Sequence, residues 1–150
     1  MSHPQSVLLV ANRTADTERL RQAVRERAAQ GTTRFHLLMP AVPSGLHRVV
    51  DPEVAGRYEA RIRLNAALPR LSQAAGFMVG GEVGSADPMA AIQDTIARES
   101  FDEIVISTLP RRMSRWLRVD LPSKAAGLGL PVSHVQAETA PDDHVALAAG

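Results

Sequence analysis

Residues 6–14 read SVLLVANRT, a run that is apolar from Val7 to Ala11 and ends in three polar side chains. A short unbroken apolar run is typical of a strand buried on both faces, as in a parallel sheet. A second run of this kind, EIVIS, occupies residues 103–107. The two runs therefore predict buried strands of a parallel sheet.

Helical and strand patterns alternate along the rest of the chain. Apolar positions at helical spacing predict a first helix over 14–30 and a long one over 53–75, which Pro69 should kink or break. Asp87 and Pro88 mark another helix start, because an aspartate can cap a helix and a proline fits its first turn. Further strands are predicted over 34–39, 77–83 and 130–135, with a loop and an interrupted helix over 108–129.

This alternation of strands and helices predicts one architecture. It is an α/β domain, a three-layer α/β/α sandwich with a five-stranded parallel doubly wound sheet of strand order 3-2-1-4-5. Ligands on such sheets bind at the carboxyl ends of the strands where the order reverses, which brings residues 12–14 beside residues 107–114. The domain should span residues 1–137, and residues 138–150 form a tail that is either disordered or docked on a partner.

Composition excludes several classes of protein. The chain has 150 residues, no cysteine and a formal net charge of +1, so it has no disulfide framework, thiolate metal site or thiol nucleophile. Its histidines fall in no metal-ligand spacing, and no Ser/His/Asp set is evident, so neither a metal nor a catalytic residue is expected. Charge and motifs disfavour nucleic acid, and no apolar run suits a membrane span or signal peptide. We therefore expect a cytoplasmic protein with no nucleic-acid or membrane partner.

Four segments, taken in order, resemble the universal stress protein domain. They are VLLVANRT at 7–14, EVGSADP at 82–88, FDEIVIST at 101–108 and GLPV at 129–132, and the similarity extends over residues 5–137. The resemblance implies the fold derived above and a homodimer formed through the last strand. It also implies adenine-nucleotide binding in many members, so that ATP or AMP is the cofactor to consider.

The resemblance further indicates where a ligand would lie. Asn12 stands where nucleotide binders usually carry an aspartate, Gly84 matches a glycine before a helix, and the pair 107–108 matches the start of the phosphate loop. The whole candidate set for a nucleotide or a small anion is Asn12, Arg13, Thr14, Met39, Gly84, Ser107, Thr108, Arg111, Arg112, Ser114 and Arg115.

The loop after residue 107 departs from the family pattern. It reads STLPRRMSRW over 107–116 and contains no glycine, although glycine is what lets backbone N–H groups approach phosphate closely. Pro110 offers no N–H, and Asp120, in the later motif position, would repel a triphosphate. Guanidinium groups could replace the missing donors, although charge runs are more often solvated surface; the arginines concerned are Arg111, Arg112, Arg115 and Arg118.

These observations favour a non-enzymatic stress-response binding or regulatory domain with a degraded nucleotide site. Two alternatives stay open: an adenine-nucleotide binder, even a slow ATPase, that holds phosphates with arginines, and a dimeric interaction module without a ligand. Trp116 is expected to pack against the sheet rather than stack on a base. Asn12 and Thr14 either bond a ligand or turn the chain into the first helix.

Overall fold

One parallel sheet forms the middle layer of the computed structural model, which describes residues 4–31, 33–42 and 52–138. Its strands are β1 (Gln5–Val10), β2 (Thr33–Pro40), β3 (Gly80–Gly84), β4 (Glu103–Thr108) and β5 (Val132–Gln136). All neighbours pair in parallel, in the order β3-β2-β1-β4-β5. The predicted fold class and strand order are confirmed.

Helices cover both faces of the sheet. They are α1 (Glu18–Gln30), α2 (Pro52–Ala75), α3 (Pro88–Arg98), α4 (Arg115–Arg118) and α5 (Leu121–Ala126). One core cluster joins the sheet to α1 and α2, and the other joins it to α3 and α5. The arrangement is the expected three-layer sandwich.

Successive residues of β1 supply both cores, because side chains alternate between the two faces of a strand. Val7 and Leu9 pack in the α1 and α2 core, whereas Leu8 and Val10 pack in the α3 and α5 core. Burying each such side chain contributes about 2 kcal/mol. The unbroken apolar run at the start of the chain thus reflects a central strand with no solvated face.

A kink or a break is predicted at Pro69, and helix α2 continues through Pro69 without a break, so the second of these alternatives is wrong. Proline removes the hydrogen bond that the carbonyl of Asn65 would accept. Both Pro69 and Asn65 are exposed, so water can serve that carbonyl instead.

Two other element boundaries differ from expectation. Helix α1 begins at Glu18, after Thr17, whose hydroxyl accepts a hydrogen bond from the N–H of Leu20 at 3.4 Å and so caps the helix. Strand β3 begins only at Gly80, and Phe77 instead stacks on Phe35 with ring centroids 6.0 Å apart. The predicted interruption before α5 is present.

Within the part of the chain that is described, no helix has the length and apolarity needed to cross a membrane. The predictions for the loop over 41–52 and for the tail over 138–150 fall largely outside the described residues.

Candidate functional site

The carboxyl ends of β1 and β4 meet at the point where the strand order reverses. Thr14, in the loop between β1 and α1, lies beside Ser107 near the end of β4, and their hydroxyl oxygens are 2.7 Å apart. Each of the two residues is only 1% exposed. The two segments predicted to meet here do so, and they are joined by a buried hydrogen bond.

Asn12, two residues past the end of β1, is buried and bonded through both halves of its amide. Its Nδ2 donates to the carbonyl oxygen of Pro40 at 2.5 Å, and its Oδ1 accepts from Nη1 of Arg63 at 2.7 Å. Asn12 therefore ties the ends of β1 and β2 to helix α2. Arg63, which the sequence did not single out, belongs to the site.

The other candidate hydroxyls also have partners within the chain. Thr108 Oγ1 lies 2.7 Å from Nε2 of His134 on β5, and partial burial of the imidazole lowers the pKa of His134. Ser114 is buried and its Oγ accepts from the N–H of Leu117 at 3.2 Å, capping α4. These side chains hold the sheet edge and the following helix together.

Two further candidates have packing roles. Met39 is fully buried in the α1 and α2 core. A Cβ atom at Gly84 would come within 2.8 Å of Leu38 Cδ1 and 3.0 Å of Ala91 Cβ, distances that real Cβ atoms scarcely show. Glycine at this position is therefore explained by the close approach of α3 to the sheet.

The loop after β4 presents its arginines to solvent. Residues 111–113 form a turn closed by the N–H of Met113 donating to the carbonyl of Pro110 at 2.8 Å. In this segment, Arg111, Arg112, Arg115 and Arg118 are exposed, and none of them forms an ion pair with a described residue. Arg118 donates to the carbonyl of Arg112 at 3.3 Å, and Asp120 is exposed in the left-handed backbone region. Trp116 packs against the α3 and α5 core, as expected.

The site combines neutral, mutually bonded side chains with guanidinium donors at its rim. Arg13, half-buried, follows Asn12 in the same loop. Among the described residues, no three histidine or carboxylate side chains are grouped so as to hold a metal ion. The guanidinium donors at the rim suit the binding of a group that accepts hydrogen bonds. Arg63 is the residue of the site that the sequence did not predict. The sequence did carry one weak indication of a basic surface on this helix: Arg63 and Arg70 are seven residues apart and so lie on the same helix face.

The fold and the polar switch point define a doubly wound parallel α/β domain. Several of its structural neighbours are universal stress proteins. One from Archaeoglobus fulgidus has 17% identity and a TM-score of 0.56, with 87% of this chain and 93% of that chain covered. One from Arabidopsis thaliana, with AMP bound, has 15% identity and a TM-score of 0.61, with 90% and 93% covered. A universal stress protein in complex with cAMP has 15% identity and a TM-score of 0.58, with 92% and 99% covered.

The chain thus has the universal stress protein fold over most of its length, and the resemblance seen in the sequence is confirmed at the level of the fold. No protein-family model and no curated protein matches the sequence significantly.

Proposed function

We propose that the chain is a non-enzymatic stress-response binding or regulatory domain in which the glycine-based nucleotide site has been lost. The observation that carries the proposal is that the buried polar side chains of the switch point bond to one another. Thr14 bonds to Ser107, and Asn12 bonds to both Pro40 and Arg63. A nucleotide bound in the family's manner would have to break these buried hydrogen bonds, at a cost of about 1–3 kcal/mol for each group left unpaired.

The backbone of the loop after β4 supports the same proposal. Phosphate loops hold their ligand with inward-facing N–H groups. Here Pro110 has none, the N–H of Met113 donates to Pro110, and that of Leu117 donates to Ser114. These three positions therefore offer no free backbone N–H to a triphosphate.

The main rival is an adenine-nucleotide binder, with or without slow hydrolysis, that uses arginine side chains for the phosphates. It is favoured by the exposed guanidinium groups of Arg111 and Arg112 and by the AMP and cAMP bound to two structural neighbours. Guanidinium can hold phosphate in a bidentate manner.

Titration calorimetry with ATP, AMP and inorganic phosphate separates the two functions. The variants are Arg111→Ala/Arg112→Ala and, as a control with the same charge change, Arg19→Ala/Lys124→Ala on exposed helical positions. We expect no nucleotide to bind with a micromolar Kd. Micromolar ATP or AMP binding that is lost in the first variant and kept in the control would establish the rival, and ATP turnover by the wild type would make the protein an enzyme.

We also propose that the domain is a cytoplasmic homodimer joined through β5. A dimeric interaction module that binds no ligand is the second alternative function. Strand β5 is at one end of the sheet order and pairs only with β4 among the described strands. An open strand edge is a template for pairing with another chain. At the two ends of the β4–β5 pairing, the N–H of Ile104 donates to Pro131 and the N–H of Ala137 donates to Thr108. Because successive residues of a strand direct their backbone groups to opposite sides, the N–H of Gln136 faces the open edge.

Light scattering at micromolar concentration tests the dimer. We expect a mass twice the 16.1 kDa of the chain. Gln136→Pro, which removes one edge N–H, should shift the protein toward monomer, and Gln136→Ala, which keeps that N–H, should remain dimeric. A monomeric wild type would overturn this proposal.

A further inference from the structure

The segment after β4 carries a concentration of positive charge. Between residues 104 and 119 the sequence has four arginines and neither aspartate nor glutamate; the arginines are Arg111, Arg112, Arg115 and Arg118. All four are exposed, and none forms an ion pair with a described residue. Other arginines of the fold do have carboxylate partners, as Arg27 has Glu103 and Arg98 has Glu82. The charge of residues 111–119, the arginine segment, is therefore available to a partner.

Hydrogen bonds and packing fix the backbone of the arginine segment. The N–H of Met113 donates to the carbonyl of Pro110 at 2.8 Å, which closes the turn over 111–113. The guanidinium of Arg118 on α4 donates to the carbonyl of Arg112 at 3.3 Å, which joins the helix to the turn. Trp116, on the same helix, packs against the α3 and α5 core. A surface that is formed before binding loses less conformational entropy when a partner docks.

Two apolar side chains are exposed among these arginines. Met113 is 47% exposed and Val119 is 51% exposed. Arginine and methionine are both enriched in protein–protein interfaces, and the unbranched methionine side chain adapts to apolar surfaces of different shape. Removing apolar side chains from water favours association. The arginine segment therefore offers a partner both cationic and apolar contacts.

We propose that the arginine segment docks an acidic peptide segment of a partner protein, one that carries carboxylates beside apolar side chains. The inference rests on the proposed function and names the class of partner that the binding or regulatory domain takes. Guanidinium groups bind carboxylates through charge-assisted and often bidentate hydrogen bonds. The apolar side chains of the partner cover Met113 and Val119.

Two other anionic partners fit these observations less well. Nucleic acid attracts proteins through many phosphate contacts, whereas the arginine segment is short and the formal net charge of the chain is only +1. A phosphate backbone also gives Met113 no apolar contact. An anionic membrane surface takes a long amphipathic helix, but α4 spans only the four residues Arg115–Arg118. An acidic peptide matches the segment in charge, in size and in apolar contact.

The test uses the full chain and a synthetic peptide of glutamate, leucine and glycine. Trp116 is the only tryptophan of the chain and lies within the arginine segment, so its fluorescence reports binding there. We expect a Kd of about 100 μM or tighter at low ionic strength, and weaker binding as salt is added because salt screens exposed charges. The same peptide with glutamine in place of glutamate should bind about tenfold more weakly.

A pair of variants tests the arginines. Arg111→Gln/Arg115→Gln removes two exposed guanidinium groups and should weaken binding of the glutamate peptide about tenfold. Arg61→Gln/Arg70→Gln is the matched control, because it makes the same charge change at exposed positions of α2, on the opposite face of the sheet from α5. The control should stay within about twofold of the wild type. Thermal unfolding of each variant verifies that a loss of binding is not a loss of fold.

A further variant tests the apolar contact. Met113→Gln should weaken binding of the glutamate and leucine peptide about threefold, and it should not affect a peptide with serine in place of leucine. The difference between the two peptides measures the contact between leucine and Met113. A thymidine oligonucleotide, as the nucleic-acid probe, should bind more weakly than the peptide and should not respond to Met113→Gln.

Failure of this inference can be distinguished from failure of the proposed function. If the glutamate peptide does not bind, binds no better than its glutamine version, or binds Arg111→Gln/Arg115→Gln as tightly as the wild type, the inference is wrong and the proposed function stands. An oligonucleotide that binds more tightly than the peptide would assign the segment to nucleic acid and would also overturn the inference. ATP binding with a micromolar Kd that depends on Arg111 and Arg112 would contradict the proposed function, and the peptide titration without nucleotide would still decide the inference separately.

Discussion

The polar groups at the two ends of the sheet are paired in different ways. At the amino end, Arg27 holds Glu103 in a bidentate ion pair with N···O distances of 2.8 and 2.7 Å, and Ser133 donates to the same carboxylate at 2.6 Å. At the carboxyl end, the buried hydrogen bond between Thr14 and Ser107 joins two neutral hydroxyls, and Arg111, Arg112 and Arg115 of the loop after β4 are exposed. A partly buried ion pair thus joins α1, β4 and β5 at one end, whereas the arginines after β4 at the other end lie at the surface.

The comparison suggests a division of roles between the two ends. Hydrogen bonds from Arg27 are the main cause that lowers the pKa of Glu103, and burial opposes them to a lesser extent. Charges that are paired in this way stabilise the fold and are not available to a ligand. Arg111, Arg112 and Arg115 form no ion pair with another described residue, so substitutions of these arginines should alter binding more than stability.

The largest effect on stability is expected from Arg27→Met, which keeps the aliphatic stem and removes the guanidinium. Both side chains of this ion pair are about one-fifth exposed, at 20% for Arg27 and 21% for Glu103. The variant strands a partly buried carboxylate, so we expect a loss of about 2 kcal/mol in the free energy of unfolding, below the cost for a fully buried pair. Urea denaturation measures it.

The matched control is Arg25→Met, two residues before Arg27 on the same helix. Arg25 pairs with Glu18 at the surface, and exposed pairs of this kind contribute little. It should change the free energy of unfolding by less than about 0.5 kcal/mol. Equal losses in the two variants would contradict the assignment of the Arg27 pair as a structural bond.

The ion pair also sets a pH dependence. The pKa of Glu103 is lowered from its ordinary value of 4.5, so its contribution is present above that value and is lost as the pH falls through the lowered pKa. Arg27→Met should remove this part of the acid sensitivity, giving a flatter dependence of stability on pH below 4.5. An unchanged slope in that range would mean that other carboxylates dominate acid unfolding.

An intermediate effect is expected at the neutral end. Thr14→Val and Ser107→Ala each leave one buried hydroxyl unpaired, so each should cost about 1–2 kcal/mol in the free energy of unfolding. The double variant leaves neither hydroxyl, so it should cost less than the sum of the two, with a coupling energy of about 1 kcal/mol. Strict additivity in this double-mutant cycle would show that the 2.7 Å contact contributes nothing.

The sequence predicts the sheet well because each central strand carries its own signal. The apolar runs at 6–11 and 103–107 show burial on both faces, and topological rules then bring their ends together. The family resemblance supplied the strand order independently. Boundaries governed by a single side chain, such as the cap at Thr17 that delays α1, are harder to predict because several polar residues nearby could serve as the cap.

The site is predicted in position but not in its contacts. Asn12 and Arg63 are 51 residues apart, and their hydrogen bond depends on how α2 lies across the sheet, which no local pattern encodes. Gly84 matches a family motif, yet its absent side chain is explained by the packing of Leu38 and Ala91. A motif therefore located the residue and did not reveal its role.

The smallest effect is expected at His134. This residue sharpens the comparison of the two ends of the sheet because its imidazole titrates in a different pH range from the carboxylate of Glu103. The residue is exposed overall, but partial burial of its ring lowers its pKa from 6.5, and Nε2 lies 2.7 Å from the hydroxyl of Thr108. Its neutral form is thus favoured in the folded state, and stability should decline as the pH falls below 6.5 toward the lowered pKa. His134→Gln should lack this decline.

An NMR titration of the His134 imidazole should give a midpoint below 6.5, and a midpoint at or above that value would contradict the prediction. Because protonation disturbs a neutral pair beside Ser107, the carboxyl end should loosen in mild acid. The amino end should hold until Glu103 is protonated below pH 4.5. Amide hydrogen exchange at pH 5.5 would then report faster opening near Thr108 than near Glu103, which ties the two ends of one sheet to two separate titrations.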